Sequence, residues 1–249
     1  MFVSTDFLAI HYGVDDTIAK FFVDREPPAN NLYWYKKLLY LRFEPGFLFL
    51  PLIADLFYKA GVSRRQILSE EFIQLMEAIG HISALEETKK ITQREAVEQC
   101  HELAAKVCQD PEYLTSLGAY FNNDPGNLFQ EFTTGFNALH RGDLFLYSIC
   151  ALTVKPGYYQ HLVRVWFALI SSLLLQDDAE DIDADKKNND ENAFLESGLD
   201  SAGMDKITLL VKSNLQYIST LNKTMAAKLD KQMVEMFNKP FFQQHYNQH

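Results

Sequence analysis

Six carboxylates open the most acidic stretch of this chain, and their order is what could do chemistry: Gln176-Asp177-Asp178-Ala179-Glu180-Asp181-Ile182-Asp183-Ala184-Asp185. The run follows directly on an almost unbroken apolar stretch, Val165 to Leu175. A helix continuing into it carries Asp177, Asp181 and Asp185 at i, i+4 and i+8, in one column on one face. Like charges at that spacing destabilise a helix by roughly a few tenths of a kcal/mol per pair, and acids at a helix C-terminus oppose its macrodipole. A hard divalent cation compensates both effects. Mg²⁺ takes oxygen ligands, keeps several waters, and is typically held by one or two carboxylates plus a substrate phosphate. Asp177, Asp178 and Asp181 are the expected principal ligands, with Asp185 accessory.

Two other readings of the run stay open. One is a solvated acidic helix end leading into a loop. The other is a calcium loop over 181–192, since Asp181, Asp183 and Asp185 fit ligand positions one, three and five. Lys186 stands where that loop needs glycine, and Asn192 where it needs a bidentate glutamate.

The elements that must position these acids read as helices almost throughout. Thr92-Gln93-Arg94-Glu95 is a capping box. Asp110-Pro111 and Asp124-Pro125 each offer an N-cap followed by proline at the first helical position. Gly61 and Gly198 mark stops. The pattern predicts about nine helices, near 31–42, 46–60, 69–90, 92–108, 111–121, 126–140, 143–154, 157–184 and 203–238. Phe7 to Tyr12 is weakly strand-like, 185–192 reads as a mobile polar loop, and Phe241 to His249 as a frayed tail. Short connections favour one all-α domain spanning 1–249, a single helical bundle.

Composition excludes some classes. Net charge is −10, and residues 177–200 hold ten acids against Lys186 and Lys187, which accounts for −8 of it. The remainder is near neutral without a basic stripe, so no nucleic-acid partner is expected. Three cysteines, Cys100, Cys108 and Cys150, fit a reducing compartment better than a disulfide framework. No basic region opens the chain as in a signal peptide, and no apolar run reaches about 18 residues, so a cytoplasmic protein without a transmembrane segment is expected.

Outside the acidic run, Glu77 and His81 lie one turn apart and suit a core hydrogen bond. Glu86 and Glu87 are either a degenerate metal site or partners of Lys89 and Lys90. Arg42, Arg64, Arg65 and Arg141 are candidate phosphate contacts, because guanidinium matches phosphate bidentately. Lys186 and Lys187 could close over a phosphate. Phe132, Phe136, Phe145, Tyr147, Trp166 and Phe167 suit either a core or an aromatic-lined cavity. Local spacing assembles no Ser/His/Asp triad, glycine-rich phosphate loop or zinc pattern.

A long apolar helix ending in Asp177-Asp178-Ala179-Glu180-Asp181, preceded by Gln176, resembles the second aspartate-rich motif of the class I isoprenoid synthases, the trans-prenyl diphosphate synthases and terpene cyclases. The set Asp177, Asp181, Asp185 also resembles the cyclase metal triad. Arg42-Phe43-Glu44-Pro45 with the apolar stretch after it is similar to an early family segment, and Glu77 to Glu87 to the helix carrying the first aspartate-rich motif. That motif is here Glu86-Glu87-Thr88-Lys89-Lys90, with lysines in place of a third acid, and the family's Arg-Arg-Gly diphosphate loop is absent. The resemblance implies Mg²⁺ held by Asp177, Asp178, Asp181, Asp185, Glu86 and Glu87. It also implies an isoprenoid diphosphate contacted by Arg42, Lys186 and Lys187, ionised for prenyl transfer or cyclisation, and a homodimer. The competing expectation is a non-catalytic binding or scaffold protein on the same fold, which the degraded first motif favours.

Overall fold

A computed structural model describes residues 3–26, 28–32, 49–124, 127, 129–155 and 157–242. Among them are eleven α-helices, three 3₁₀ helices and no strand. The all-α expectation holds, with more and shorter elements than the sequence suggests.

The first pair is α1 (Thr5–Tyr12) and α2 (Asp16–Asp24). Ser4 caps α1 by accepting from Phe7 N–H, and Asp15 caps α2 by accepting from Thr17 and Ile18. The weak strand signal at Phe7 to Tyr12 is thus overturned: local capping at Ser4 and a left-handed Gly13 make it a helix. The predicted helix 31–42 falls largely outside the described residues, as does Arg42.

Next come α3 (Phe49–Lys59), α4 (Arg64–Ile67), α5 (Glu70–Glu87), α6 (Gln93–Ala105) and α7 (Pro111–Phe121). The capping box at Thr92 and Glu95 forms, and Asp110 caps α7 with Pro111 at its first position. The helices expected over 126–140 and 143–154 are instead 3₁₀ segments, Gln130–Phe132, Asn137–His140 and Asp143–Ala151. All nine residues of the last are buried, so it threads the core with α5, α6 and α7 packed against it.

The longest element is α8 (Tyr158–Asn188), which runs through the acidic stretch and ends at Asn189 in the left-handed conformation. Its apolar part is buried against α3, α10 (Ser201–Leu221) and α11 (Lys223–Phe237). The expected mobile loop 185–192 is therefore mostly helix and turn, and it is tied down. Asn192 Nδ2 donates to Asp178 O at 2.7 Å and Asp185 Oδ2 at 2.8 Å, and α9 (Ala193–Glu196) follows at once. The helix over 181–188 also removes the calcium-loop reading, which needs a turn there. The predicted helix 203–238 is two helices, because Asn222 leaves α10 extended (φ −143°, ψ 94°) and caps α11. In the expected frayed tail, Phe242 is buried, packed against Phe194 and Phe237.

Two polar clamps hold the bundle. Asp55 is wholly buried and accepts from Asp15 N–H at 2.8 Å, from Lys59 at 2.8 Å and from Asn222 Nδ2 at 2.9 Å. Asn222 also donates to Tyr12 O at 2.9 Å, joining α11 to the end of α1. In the second clamp, Arg25 after α2 grips Glu77 of α5 bidentately, Nε and Nη2 each 2.9 Å from a carboxylate oxygen. Arg25 Nη1 reaches Glu70 at 2.9 Å. His81 accepts from Leu32 N–H at 3.1 Å, so the partners of Glu77 and His81 come from outside their own helix.

Candidate functional site

Glu87 ends α5, and Asp177 lies five turns or so into α8. Ninety residues apart in sequence, they line one cavity of about 180 Å³. Its walls are Phe49 from α3, Ser83 from α5, Gly142 and Phe145 from the 3₁₀ region, and Trp166, Ile170, Leu173 and Leu174 from α8. Three rings form the aromatic wall: Phe49 meets Phe145 edge-on at 5.0 Å and Trp166 edge-on at 6.0 Å, while Phe145 stacks with Trp166 at 6.1 Å. The space is apolar inside, with a carboxylate from each of two helices at its polar part.

Arg141 completes the site, and sequence reasoning had weighed it only as one of four loose arginines. It sits between the second and third 3₁₀ segments and also lines the cavity. Its Nη2 is 2.6 Å from Asp178 Oδ1 and 3.7 Å from Asp177 Oδ2, and its Nη1 donates to Glu191 O at 2.8 Å. Asp178, 1 % exposed, also accepts Ala193 N–H at 2.7 Å. The signal that could have singled out Arg141 is its place at a helix-breaking Arg141-Gly142-Asp143 step just upstream of the apolar helix.

The expected metal residues thus divide. Asp177 and Glu87 share the cavity. Glu86 is half-buried beside Glu87, and Asp181 is exposed one turn beyond Asp177. Asp178 is committed to Arg141 and Ala193, and Asp185 to Asn192. Lys186 and Lys187 are exposed in the last turn of α8. Among the described residues no group of three or more His, Cys, Asp or Glu is placed to hold a metal ion through protein ligands alone.

The carboxyls at this site are reluctant to ionise. Burial pushes Asp177 up to about 6, with Arg141 opposing and Asp178, Asp181 and Asp185 adding to the rise. Burial likewise pushes Asp178 up to about 6, against the pull of Arg141 and Ala193 N–H. Glu87 is exposed on its outer side, and the partial desolvation it meets at the cavity, and then Glu86, raise it, again with Arg141 opposing. Because the folded state holds the Asp177 proton more tightly than the unfolded chain, stability from this group is greatest below about pH 4. It is lost as pH rises through about 6. Asp177→Asn is therefore expected to be more stable than wild type near neutral pH. The gain should be about 1 kcal/mol, well under the nominal value of the shift because the side chain is 39 % exposed. Thermal melts in acid and at neutral pH check this: an advantage that persists unchanged in acid rules out titration of Asp177 as its source.

Comparison with protein-family models, with curated proteins and with solved structures gives no match.

Proposed function

We propose that this protein is a divergent member of the class I isoprenoid synthase type that acts on an isoprenoid diphosphate. The observation supporting it is the convergence of Glu87 and Asp177, from two helices, on one aromatic-walled apolar cavity. The acids fit Mg²⁺, which asks for only one or two carboxylates when a phosphate and waters fill the remaining positions. Asp177 and Glu87 would hold it, with Asp181 and Glu86 adjoining, and the ion would supply positive charge for a leaving diphosphate. The chain's own residues do the rest. Arg141 offers guanidinium donors to phosphate oxygens. Phe49, Phe145 and Trp166 exclude water from the hydrocarbon, and their π faces favour a developing cation.

A second reading keeps the cavity and drops the reaction. The guanidinium of Arg141 already neutralises part of the acidic cluster, so an apolar ligand can bind there without metal. Calorimetry with Mg²⁺ plus inorganic diphosphate separates the two. Binding by wild type that disappears in Glu87→Gln/Asp177→Asn supports the first, and release of diphosphate from an allylic diphosphate would extend it to turnover. Wild type that binds no diphosphate with Mg²⁺ leaves the second.

Among the described residues no helix is long and apolar enough to cross a membrane. A cytoplasmic location and a homodimer belong with the proposed reading.

A further inference from the structure

Trp166, which walls the cavity, also joins a second group of side chains that has the geometry of an activated nucleophile. Asp143 is 3 % exposed and held from two sides: Trp166 Nε1 donates to its Oδ1 at 3.0 Å, and the Tyr120 hydroxyl donates to its Oδ2. Burial and the Asp143 charge raise Tyr120 far above the ordinary tyrosine range, so it stays a donor. His140 Nδ1 is 2.8 Å from the same Oδ2. With the proton of His140 on Nδ1, toward Asp143, Nε2 is an acceptor; it takes Thr134 N–H at 3.4 Å and lies 3.1 Å from Thr134 Oγ1, whose hydroxyl can turn to it from Phe136 O at 3.2 Å. Hydroxyl, base and orienting carboxylate are thus in hydrogen-bond sequence, the arrangement that activates a weak nucleophile. Sequence spacing missed it because the hydroxyl is a threonine and the order of the three is carried by 3₁₀ turns.

The group opens outward. His140 and Asp143 line a cleft of about 520 Å³. Thr134 lines another of about 610 Å³, shared with Asn137, Glu196 and Lys206. Gly135 and Phe136 border both. Phe136 N–H donates to Thr134 Oγ1 at 3.2 Å, steadying negative charge on that oxygen. Asn137 and Lys206 place an amide donor and a cation in the cleft that an acyl substrate would enter.

We propose that Thr134, His140 and Asp143 form an acyl-transfer site that hydrolyses carboxylic esters, adjoining the acidic cavity through Arg141 and Trp166. Thr134 Oγ bonds to the acyl carbon while its proton passes to His140 Nε2. The ester C–O bond breaks, and the alkoxide leaves with that proton. Water then attacks the Thr134 ester while the same nitrogen takes its proton, and as the acyl–Oγ bond breaks and the acid leaves, that proton returns to Thr134 Oγ. Asp143 takes no proton; it holds the imidazole in the required tautomer.

p-Nitrophenyl acetate is the probe, with release of p-nitrophenolate followed alongside intact mass and peptide mapping. Wild type should release product about 10²-fold faster than Thr134→Val or His140→Asn, the scale of general-base assistance, with any trapped acetyl group mapping to Thr134. Thr134→Val keeps the side-chain shape, and its melting temperature controls for unfolding. Wild-type release no faster than that of a folded Thr134→Val, or acetyl found only on lysines, overturns the proposal and leaves the three residues as a turn-stabilising network.

Discussion

Arg141→Met is expected to lower the unfolding free energy by about 3 kcal/mol and to abolish diphosphate binding. Breaking a buried ion pair from one side costs about 3–5 kcal/mol, because the remaining charge is left desolvated. Here the lower end applies, since Arg141 is 31 % exposed while Asp178 is 1 % exposed. The deficit should depend on pH. Asp178 is pushed up to about 6 even with Arg141 present, and without the guanidinium its proton is held more tightly still. Below about pH 6 the carboxyl is neutral with or without Arg141 and much of the loss is recovered; the loss grows as pH rises past 6. Arg141→Met/Asp178→Asn should regain most of the stability at neutral pH while still failing to bind diphosphate. Urea unfolding at two pH values gives the first readout and calorimetry the second. A single-variant loss below about 1 kcal/mol at neutral pH would show that Asp178 does not depend on Arg141.

The largest effect on stability is expected at the other clamp. Arg25→Met removes the bidentate guanidinium from Glu77, whose side chain is 1 % exposed, and should cost about 3–5 kcal/mol. The Glu77 hydrogen bonds raise Arg25 above its ordinary value, so the guanidinium keeps its charge. Arg25→Met/Glu77→Leu should recover a large part, since a well-packed apolar pair often matches a buried ionic one. If the double variant is no more stable than Arg25→Met alone, the clamp matters through the Arg25–Glu70 bond and not through the buried charge.

What could be read beforehand follows from the range of each interaction. The capping box at Thr92, the Asp110-Pro111 start and the carboxylate column at Asp177, Asp181 and Asp185 are local, and each was legible from spacing. Helices α1 and α2 were legible in principle through Ser4 and Asp15, but their apolar positions are too few to declare a period. The 3₁₀ segments could not be told from α-helix, because apolar residues cover all sides of Asp143–Ala151 and no face distinguishes a period of 3.0 from 3.6. The cavity was least accessible. Glu87 could be chosen as a candidate, but its meeting with Asp177 depends on how α5 and α8 pack across the same 3₁₀ segment. The pairing of Asp178 was hidden for the same reason: its partner Arg141 lies 37 residues away.

Asn222 has a consequence for how the chain is made. Its amide closes onto Tyr12 O, 210 residues earlier, and onto Asp55, 167 residues earlier. Until α11 leaves the ribosome, those acceptors lack that donor, and α1 lacks one of the two helices it packs on. At about 5–20 residues per second, that interval is roughly 10–40 s. Throughout it α1, whose Leu8 and Tyr12 are core residues of the finished fold, lacks its packing on α11. That uncovered face of α1 is where a chaperone would engage during translation.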